Sequence, residues 1–374
     1  MKRARNIFEL GMKELRSLWH DKVLVVFILT AFSAMVYSAA TGTSRDLNNA
    51  PIAVVDHDQS RLSQRVIAAF YRPYFKPAEV ITSEALDPGL DEGRYTFVLD
   101  IPPNFQRDVM AGNQPAIQVN IDATRMTQAF IGATYIQNII VGEVSEVVRH
   151  YRGDEELPIK LVTRVKYNPN LSGLWFGGVM EVIEQITMLS MILTGAALIR
   201  EREHGTIEHL LVMPLTPFDI MMAKVWANGL VVLVAASLSL WLVVEGLLEV
   251  PIPGSMSLFI FAATLYLFST TSMGIFLATV ARSMRQLGLL VILVIIPLQL
   301  LSGAVTPRES MPELIQTIMQ AAPTTHFITL AQAILYRGAG LDVVWRPLVA
   351  IVVIGAVFFI TALARFRKAI TLTS

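Results

Sequence analysis

Glu181 and Glu184 stand three residues apart inside an apolar stretch, with Gln185 beside them. On a helix that spacing puts both carboxylates on one face. A carboxylate within a bilayer is costly and marks a cavity, a cationic ligand or a proton relay. The alternative is that the apolar stretch enters the membrane later and leaves these groups in the wet interface; the spacing allows either. Ser269-Thr270-Thr271-Ser272, followed by Gly274, breaks another apolar run. Small and hydroxylated residues let helices approach closely, and that reading is favoured over contact with a substrate. Pro297 should kink its helix, and Gln299 beside it could line a pathway. Glu181, Glu184, Gln185, Thr270, Thr271 and Gln299 are therefore the candidate substrate-pathway residues. Glu245 and Glu249 read as interfacial groups at the end of their own stretch.

Other chemistry is excluded. A phosphate-cradling P-loop ends in Lys-Ser or Lys-Thr. The eight lysines here are followed by Arg, Glu, Val, Pro, Leu, Tyr, Val and Ala, so this chain has no such loop. No HExxH, GxSxG or strand-borne GxGxxG motif is present, which argues against an enzyme. Asp56-His57-Asp58-Gln59-Ser60 faintly resembles a calcium loop, but the required Gly and Glu positions hold Arg61 and Ile67. Asp58 reads instead as the cap of a helix over 59–71. With no cysteine there is no thiolate metal site or disulfide. No metal ligands or catalytic residues are expected.

The elements that must position these groups are membrane helices. Of 374 residues, 53% are hydrophobic and only 16% charged, with mean hydropathy +0.54. A soluble domain carries about 25% charged residues. Thirty basic residues balance thirty acidic ones, so no nucleic-acid footprint is present. Six stretches approach the roughly 20 apolar residues that cross a bilayer: 23–40, 177–199, 227–250, 258–281, 287–305 and 348–364. Fourteen Lys and Arg residues fall on one side, against Arg308, Arg337 and Arg346 in the short loops of the other. By the positive-inside rule both termini are cytoplasmic. The first stretch, with 18 residues, is longer than the h-region of a signal peptide and is read as retained.

The expected architecture is a membrane α-helical protein with six transmembrane helices and an α/β extracytoplasmic domain inserted between helices one and two. Residues 1–22 form an amphipathic helix with Ile7, Phe8, Gly11, Met12, Leu15, Leu18 and Trp19 at helical spacing. It lies in the cytoplasmic interface or, alternatively, packs on other cytoplasmic parts. The inserted domain, 41–176, alternates strands and helices, ending in a long helix over 126–151 and a strand over 159–167, and implies a partly parallel sheet. The region 177–374 holds five helices, a cytoplasmic loop 200–224, and two short helices within 306–346 that cap the outer mouth.

That loop reads Arg200-Glu201-Arg202-Glu203-His204-Gly205-Thr206-Ile207-Glu208-His209-Leu210-Leu211-Val212-Met213-Pro214. Gly205 breaks the emerging helix, Thr206 can cap a new one, and Glu208 suits its first turn. Pro214 stops it, and Thr216-Pro217 starts the next. Leu210, Leu211 and Met213 present an apolar face that needs cover, from a partner surface or from headgroups and neighbouring helices. The run from Glu201 to Pro214 closely resembles the cytoplasmic motif of ABC-2 type export permeases. Leu301-Ser302-Gly303, Pro307, Met311-Pro312 and Pro323-Thr324-Thr325-His326-Phe327 resemble that family's segment after the fifth helix.

The resemblance implies a permease in a bacterial inner membrane, exporting drugs or other amphipathic compounds. It implies that Glu201, Arg202, Gly205, Thr206, Glu208, Leu210 and Pro214 couple to a separate ABC ATPase chain, which binds ATP and Mg. It further implies a second permease copy or similar permease, and a periplasmic membrane-fusion protein. Two rivals are a proton-coupled transporter using Glu181 and Glu184, which should show inverted repeats, and a receptor or scaffold with a sensing domain.

Overall fold

The computed structural model describes residues 2–42, 47, 49–122, 126–152, 173–203, 215–304, 306, 308 and 311–371. They divide into two compact units, Met1–Thr43 with Leu174–Ser374, and Ser44–Gly173.

The first unit contains six helices long and apolar enough to cross a membrane: Lys22–Gly42, Gly177–Glu203, Pro217–Leu247, Met256–Val280, Met284–Leu301 and Leu341–Lys368. They are called the first to sixth spans below. All six differ at one or both ends from the stretches read by hydropathy, three of them as follows. The third begins at Pro217 rather than Ala227, because Thr216 and Asp219 form a reciprocal capping box and Pro217 occupies the first turn. The fifth ends at Leu301 rather than Val305, where Gly303 takes a φ of 97° that continues no helix. The sixth starts at Leu341 and carries Pro347 within it. At the starts of the third and sixth spans, polar residues hide helix from a hydropathy count but do not stop it.

Burial divides the spans. The second and fourth are 72% and 67% buried, whereas the other four are only 22–33% buried. Leu289 and Leu293 of the fifth, for example, are 70% and 68% exposed. Such exposed apolar faces suit lipid, and the second and fourth spans form the centre of the bundle. Backbones touch there. A Cβ placed on Gly274 would lie 2.5 Å from the Met191 carbonyl oxygen, and one on Gly355 of the sixth span 3.0 Å from Ser269 Cα. Ser269, Thr270, Thr271 and Ser272 are all buried.

Hydroxyls satisfy one another across this centre. Thr187 Oγ1 and Tyr266 OH lie 2.6 Å apart, Tyr266 donates to Thr324 Oγ1 at 3.1 Å, and Ser190 donates to Thr270 Oγ1 at 2.7 Å. Thr324 belongs to Pro323–Leu335, one of two short helices after the fifth span, the other being Glu313–Met319. Pro323–Leu335, one of the short helices expected to cap the outer mouth, packs into the core: Phe327, Leu330, Ala331, Ile334 and Leu335 are fully buried. Phe327 stacks on Tyr266 at 4.0 Å. Its thirteen residues extend about 20 Å, too short to cross a membrane.

The second unit follows the first span in the chain and holds a four-stranded sheet of order β2-β1-β3-β4. Strand β1 (Ile52–Asp56) pairs in parallel with β2 (Glu79–Val80) and β3 (Phe97–Ile101), and β4 (Gln118–Ile121) is antiparallel to β3. Central strands covered on both faces read as continuous apolar runs, as β1 and β3 do. Helices Arg61–Ala68, Phe105–Ala111 and Met126–Arg152 pack with the face bearing Ile52, Val54, Phe97 and Leu99. Leu86 and Leu90 cover the other, at Ala53, Val55 and Val98. Burial and donation to Glu79 raise the pKa of the Tyr95 phenol on that face. The expected cap is corrected. Ser60, not Asp58, caps the helix at 61–68, while Asp58 Oδ2 accepts from Gln106 N at 3.0 Å and caps the neighbouring helix. The expected strand over 159–167 lies outside the described residues.

The close approach of the second and fourth spans is testable. Gly274→Ala should destabilise the protein by about 1–3 kcal/mol in detergent thermal unfolding, because the backbone opposite cannot yield. Gly288→Ala, with nothing within 4 Å, should be neutral or stabilising. Equal effects at both sites would refute this packing.

Candidate functional site

The second span ends in Arg200-Glu201-Arg202-Glu203, and these four consecutive side chains reach different elements. Arg200 lies 3.6 Å from Asp21, which caps the first span by accepting from Leu24 N. Glu201 lies 2.9 Å from Lys224 of the third span and 3.9 Å from Lys13 of the N-terminal helix, Lys2–His20. Arg202 donates to the Ala281 carbonyl at the end of the fourth span. Glu203 Oε1 accepts from Met284 N, at the start of the fifth, at 3.0 Å. The last two contacts are what helix ends require. A carbonyl at a C-terminus attracts a cation, and an unpaired amide at an N-terminus attracts an anion.

At the centre of this cluster is Lys224, whose side chain is 1% exposed. Its ammonium lies 2.9 Å from Glu14 and 2.9 Å from Glu201, and donates to the Ala197 carbonyl at 3.4 Å. An ammonium can stay charged at such depth only with carboxylates and carbonyls around it. The N-terminal helix that brings Glu14 is seated on the third span. A Cβ on Gly11 would lie 2.1 Å from the Trp226 ring, Trp226 Nε1 donates to the Ile7 carbonyl at 3.1 Å, and Phe8 stacks parallel on the same indole. Of the two sequence readings, packing on other parts of the chain therefore describes one face of this helix. Trp19 is 77% exposed, and Phe8 keeps 59% exposure alongside its contact with the indole.

Glu201 and Arg202 thus belong to the cluster. Gly205, Thr206, Glu208, Leu210 and Pro214 lie outside the described residues. Both flanks of that segment are anchored, on one side by the contacts of 200–203 and on the other by the Thr216–Asp219 capping box. Among the pathway candidates, Gln185 is 3% exposed and donates to Glu181 at 2.6 Å. Glu184 and Gln299 are half-buried. Thr270 accepts from Ser190, and Thr271 donates back to its own helix at Leu267 O. Glu245 and Glu249 are exposed. Among the described residues no group of three or more His, Cys, Asp or Glu could hold a metal.

Sequence reasoning missed Lys224, Glu14 and Trp226 as site residues. Lys224 counted only as a basic loop residue. The available signal was its setting, one lysine between Ala223 and Val225 behind a Thr-Pro helix start, which implies a buried cation in need of partners.

Comparison with known proteins follows this geometry. The profile of a family described as "ABC-2 family transporter protein" matches residues 23–364. The "Inner membrane transport permease YhhJ" of Escherichia coli (strain K12) is 62% identical over 99% of both chains. The "Probable multidrug ABC transporter permease YbhR" of the same organism is 29% identical, over 97% of this chain and 98% of that one. The "Probable multidrug ABC transporter permease YbhS" is 26% identical over 77% of this chain.

Removing the central cation should strand two buried carboxylates. Lys224→Met should cost about 3–5 kcal/mol in detergent thermal unfolding, and combining it with Glu14→Gln and Glu201→Gln should restore most of the loss. No rescue by the triple variant would mean that Lys224 acts through packing alone.

Proposed function

The chain belongs to the ABC-2 family of transporter proteins, and we propose that it is the permease subunit of an ATP-driven exporter of drugs or other amphipathic compounds. It is a multi-pass inner-membrane protein with six apolar helices. In this reading it supplies half of the pathway, pairs with a second copy or a similar permease, and is driven by separate ABC ATPase subunits that bind ATP and Mg. The sequence agrees with that division of labour, since no lysine here ends a P-loop.

One observation carries the reading: the clamp at 200–203. The segment read as the ATPase-coupling helix, with Gly205, Thr206, Glu208, Leu210 and Pro214, leaves the second span directly after it. Arg200, Glu201, Arg202 and Glu203 tie that point to Asp21, Lys224, the Ala281 carbonyl and the Met284 amide. A push on the segment is thereby delivered to five spans at once, and the bundle rocks as a body. Both termini are cytoplasmic, and the sheet-bearing unit lies outside, inserted between the first and second spans. There it receives or guides substrate and docks a periplasmic membrane-fusion protein. The substrate class draws on the relatives named as multidrug permeases.

A second reading, proton-coupled transport, has one observation in its favour, the short bond that holds Glu181 to Gln185 within the second span. Purification of the tagged chain under mild detergent separates the two. A co-purifying ABC ATPase supports the permease, and its reproducible absence supports the proton-coupled reading. With the ATPase present, Glu208→Ala and Leu210→Ala should each lower transport about tenfold while hydrolysis continues, an ordinary coupling free energy. Unchanged transport in both would sink the coupling role. Topology is equally open to test, because the native chain has no cysteine. Glu84→Cys should react with an impermeant maleimide in intact cells with a permeable outer membrane, and Ser374→Cys only after the inner membrane is opened.

A further inference from the structure

The sheet of the second unit ends on an open edge. Strand β4 bonds to β3 along one side, and no strand pairs its other side among the described residues. A free row of amides and carbonyls is a template for another strand. Beside it lies a cleft of about 640 Å³, bounded by β4 and the helices Phe105–Ala111 and Met126–Arg152. None of its lining residues is charged. Val119 and Ile121 face it from β4, and Ile140, Val141 and Val144 from the long helix. Ile121 is 37% and Val141 57% exposed. On the opposite face of β4, Gln118 and Asn120 bond to each other at 2.8 Å. An unpaired edge with an apolar cleft on one face suits an extended segment whose side chains alternate apolar and polar.

The chain supplies such a segment. Residues 153–172 lie outside the described ones and follow Met126–Arg152 directly. Within them Ile159, Leu161, Thr163, Val165 and Tyr167 alternate with Lys160, Val162, Arg164 and Lys166. That order gives one apolar and one mainly basic face at strand spacing, rich in β-branched residues. Pro158 and Pro169 bound it, where a missing amide costs a strand least. The link 153–158 has a length common between a helix and a strand.

Direction and hand agree. Gly132, near the start of the long helix, packs on Phe97, which stands opposite Ile121 at the end of β4. Val144 and Val148, near its other end, share the cleft with Phe105, which follows β3. The helix therefore runs back along β4, and a strand after it sets out parallel to β4. The helix Arg61–Ala68 joins β1 to β2 over the same face of the sheet. Strand β4 points opposite to β1, so a crossover of the same hand over that face steps away from β2, out past β4. Parallel crossovers share one hand.

We propose that residues 159–167 form a fifth strand, parallel to β4 on its open edge. Ile159, Leu161, Thr163, Val165 and Tyr167 fill the cleft, and Lys160, Arg164 and Lys166 lie on the face of Gln118 and Asn120. The cleft is then a docking site for this chain's own segment, and only residues 168–172 separate it from the helix that begins at Gly173. The inference rests on the topology of the second unit and is independent of the transport reading.

The native chain has no cysteine, which makes disulfide mapping direct. Val119→Cys is combined in turn with a single cysteine at each position from 160 to 166 in the full chain, and native membranes are oxidised with copper phenanthroline. Crosslinks should form within one chain and favour odd-numbered positions about tenfold, and Gln118→Cys should reverse that parity. Neighbours on one face of a sheet come within disulfide reach, and those on opposite faces do not. Absent crosslinks or crosslinks without alternation overturn the inference, as do alternating crosslinks between two chains, which give the cleft to a second copy. Hydrogen exchange without cysteines is the second measurement. Leu161→Asp puts a charge into an uncharged cleft and should quicken amide exchange at 118–121 about tenfold, whereas Lys160→Asp, on the other face, should leave it unchanged. Equal exchange in the two variants overturns the pairing.

Discussion

A lysine ammonium with 1% of its side chain exposed, held between Glu14 and Glu201 at 2.9 Å each, is the constraint on which the rest of the first unit turns. Desolvating an ammonium costs several kcal/mol, and only close carboxylates and carbonyls offset that. The ammonium and its partners come from three separate segments: the start of the third span, the N-terminal helix and the end of the second span. Meeting the ammonium's demand therefore fixes where three helices stand. Gly11 against Trp226 allows the approach, since any side chain at position 11 would meet the indole. Such a cluster is a weak source of net stability, and separating its members is costly because it strands a buried charge.

The centre of the bundle uses a different device for the same end. Lipid offers no hydrophobic drive for helix association, so close packing and hydrogen bonds must hold the second, fourth and sixth spans. Gly274 and Gly355 let backbones touch, and hydroxyls of Thr187, Tyr266, Thr324, Ser190 and Thr270 bond across the contact. The buried Ser-Thr-Thr-Ser run is thus spent on packing in this conformation. Pro323–Leu335 completes the centre by laying Phe327 on Tyr266. The polar cluster of residues 200–203 lies at one end of this close-packed centre and reaches the neighbouring spans.

Much was legible in the chain itself. Six apolar stretches, a strand–helix alternation after the first, and an absent P-loop all follow from local residue order. Hydropathy locates a span because lipid leaves every backbone group to be satisfied within its own helix. Strands β1 and β3 were legible for a related reason, since a strand buried on both faces must be apolar throughout. Helix ends were less so. The third span starts ten residues before its hydropathy does, carried by the Thr216–Asp219 capping box, and the sixth runs through Pro347.

What the tertiary structure alone decided is who meets whom. Asp58 looked like a cap for the helix that follows it, and it caps the one at Phe105–Ala111 instead, because a carboxylate serves whichever amide the fold brings near. Glu201 and Arg202 were legible as part of a motif, but their inward contacts to Lys224 and the Ala281 carbonyl were not. Lys224 and Glu14 are 210 residues apart. Residue type and spacing determine what a segment must bury or satisfy. The partner across such a distance is settled only when the helices pack, since the buried charge constrains geometry without naming the residue that answers it.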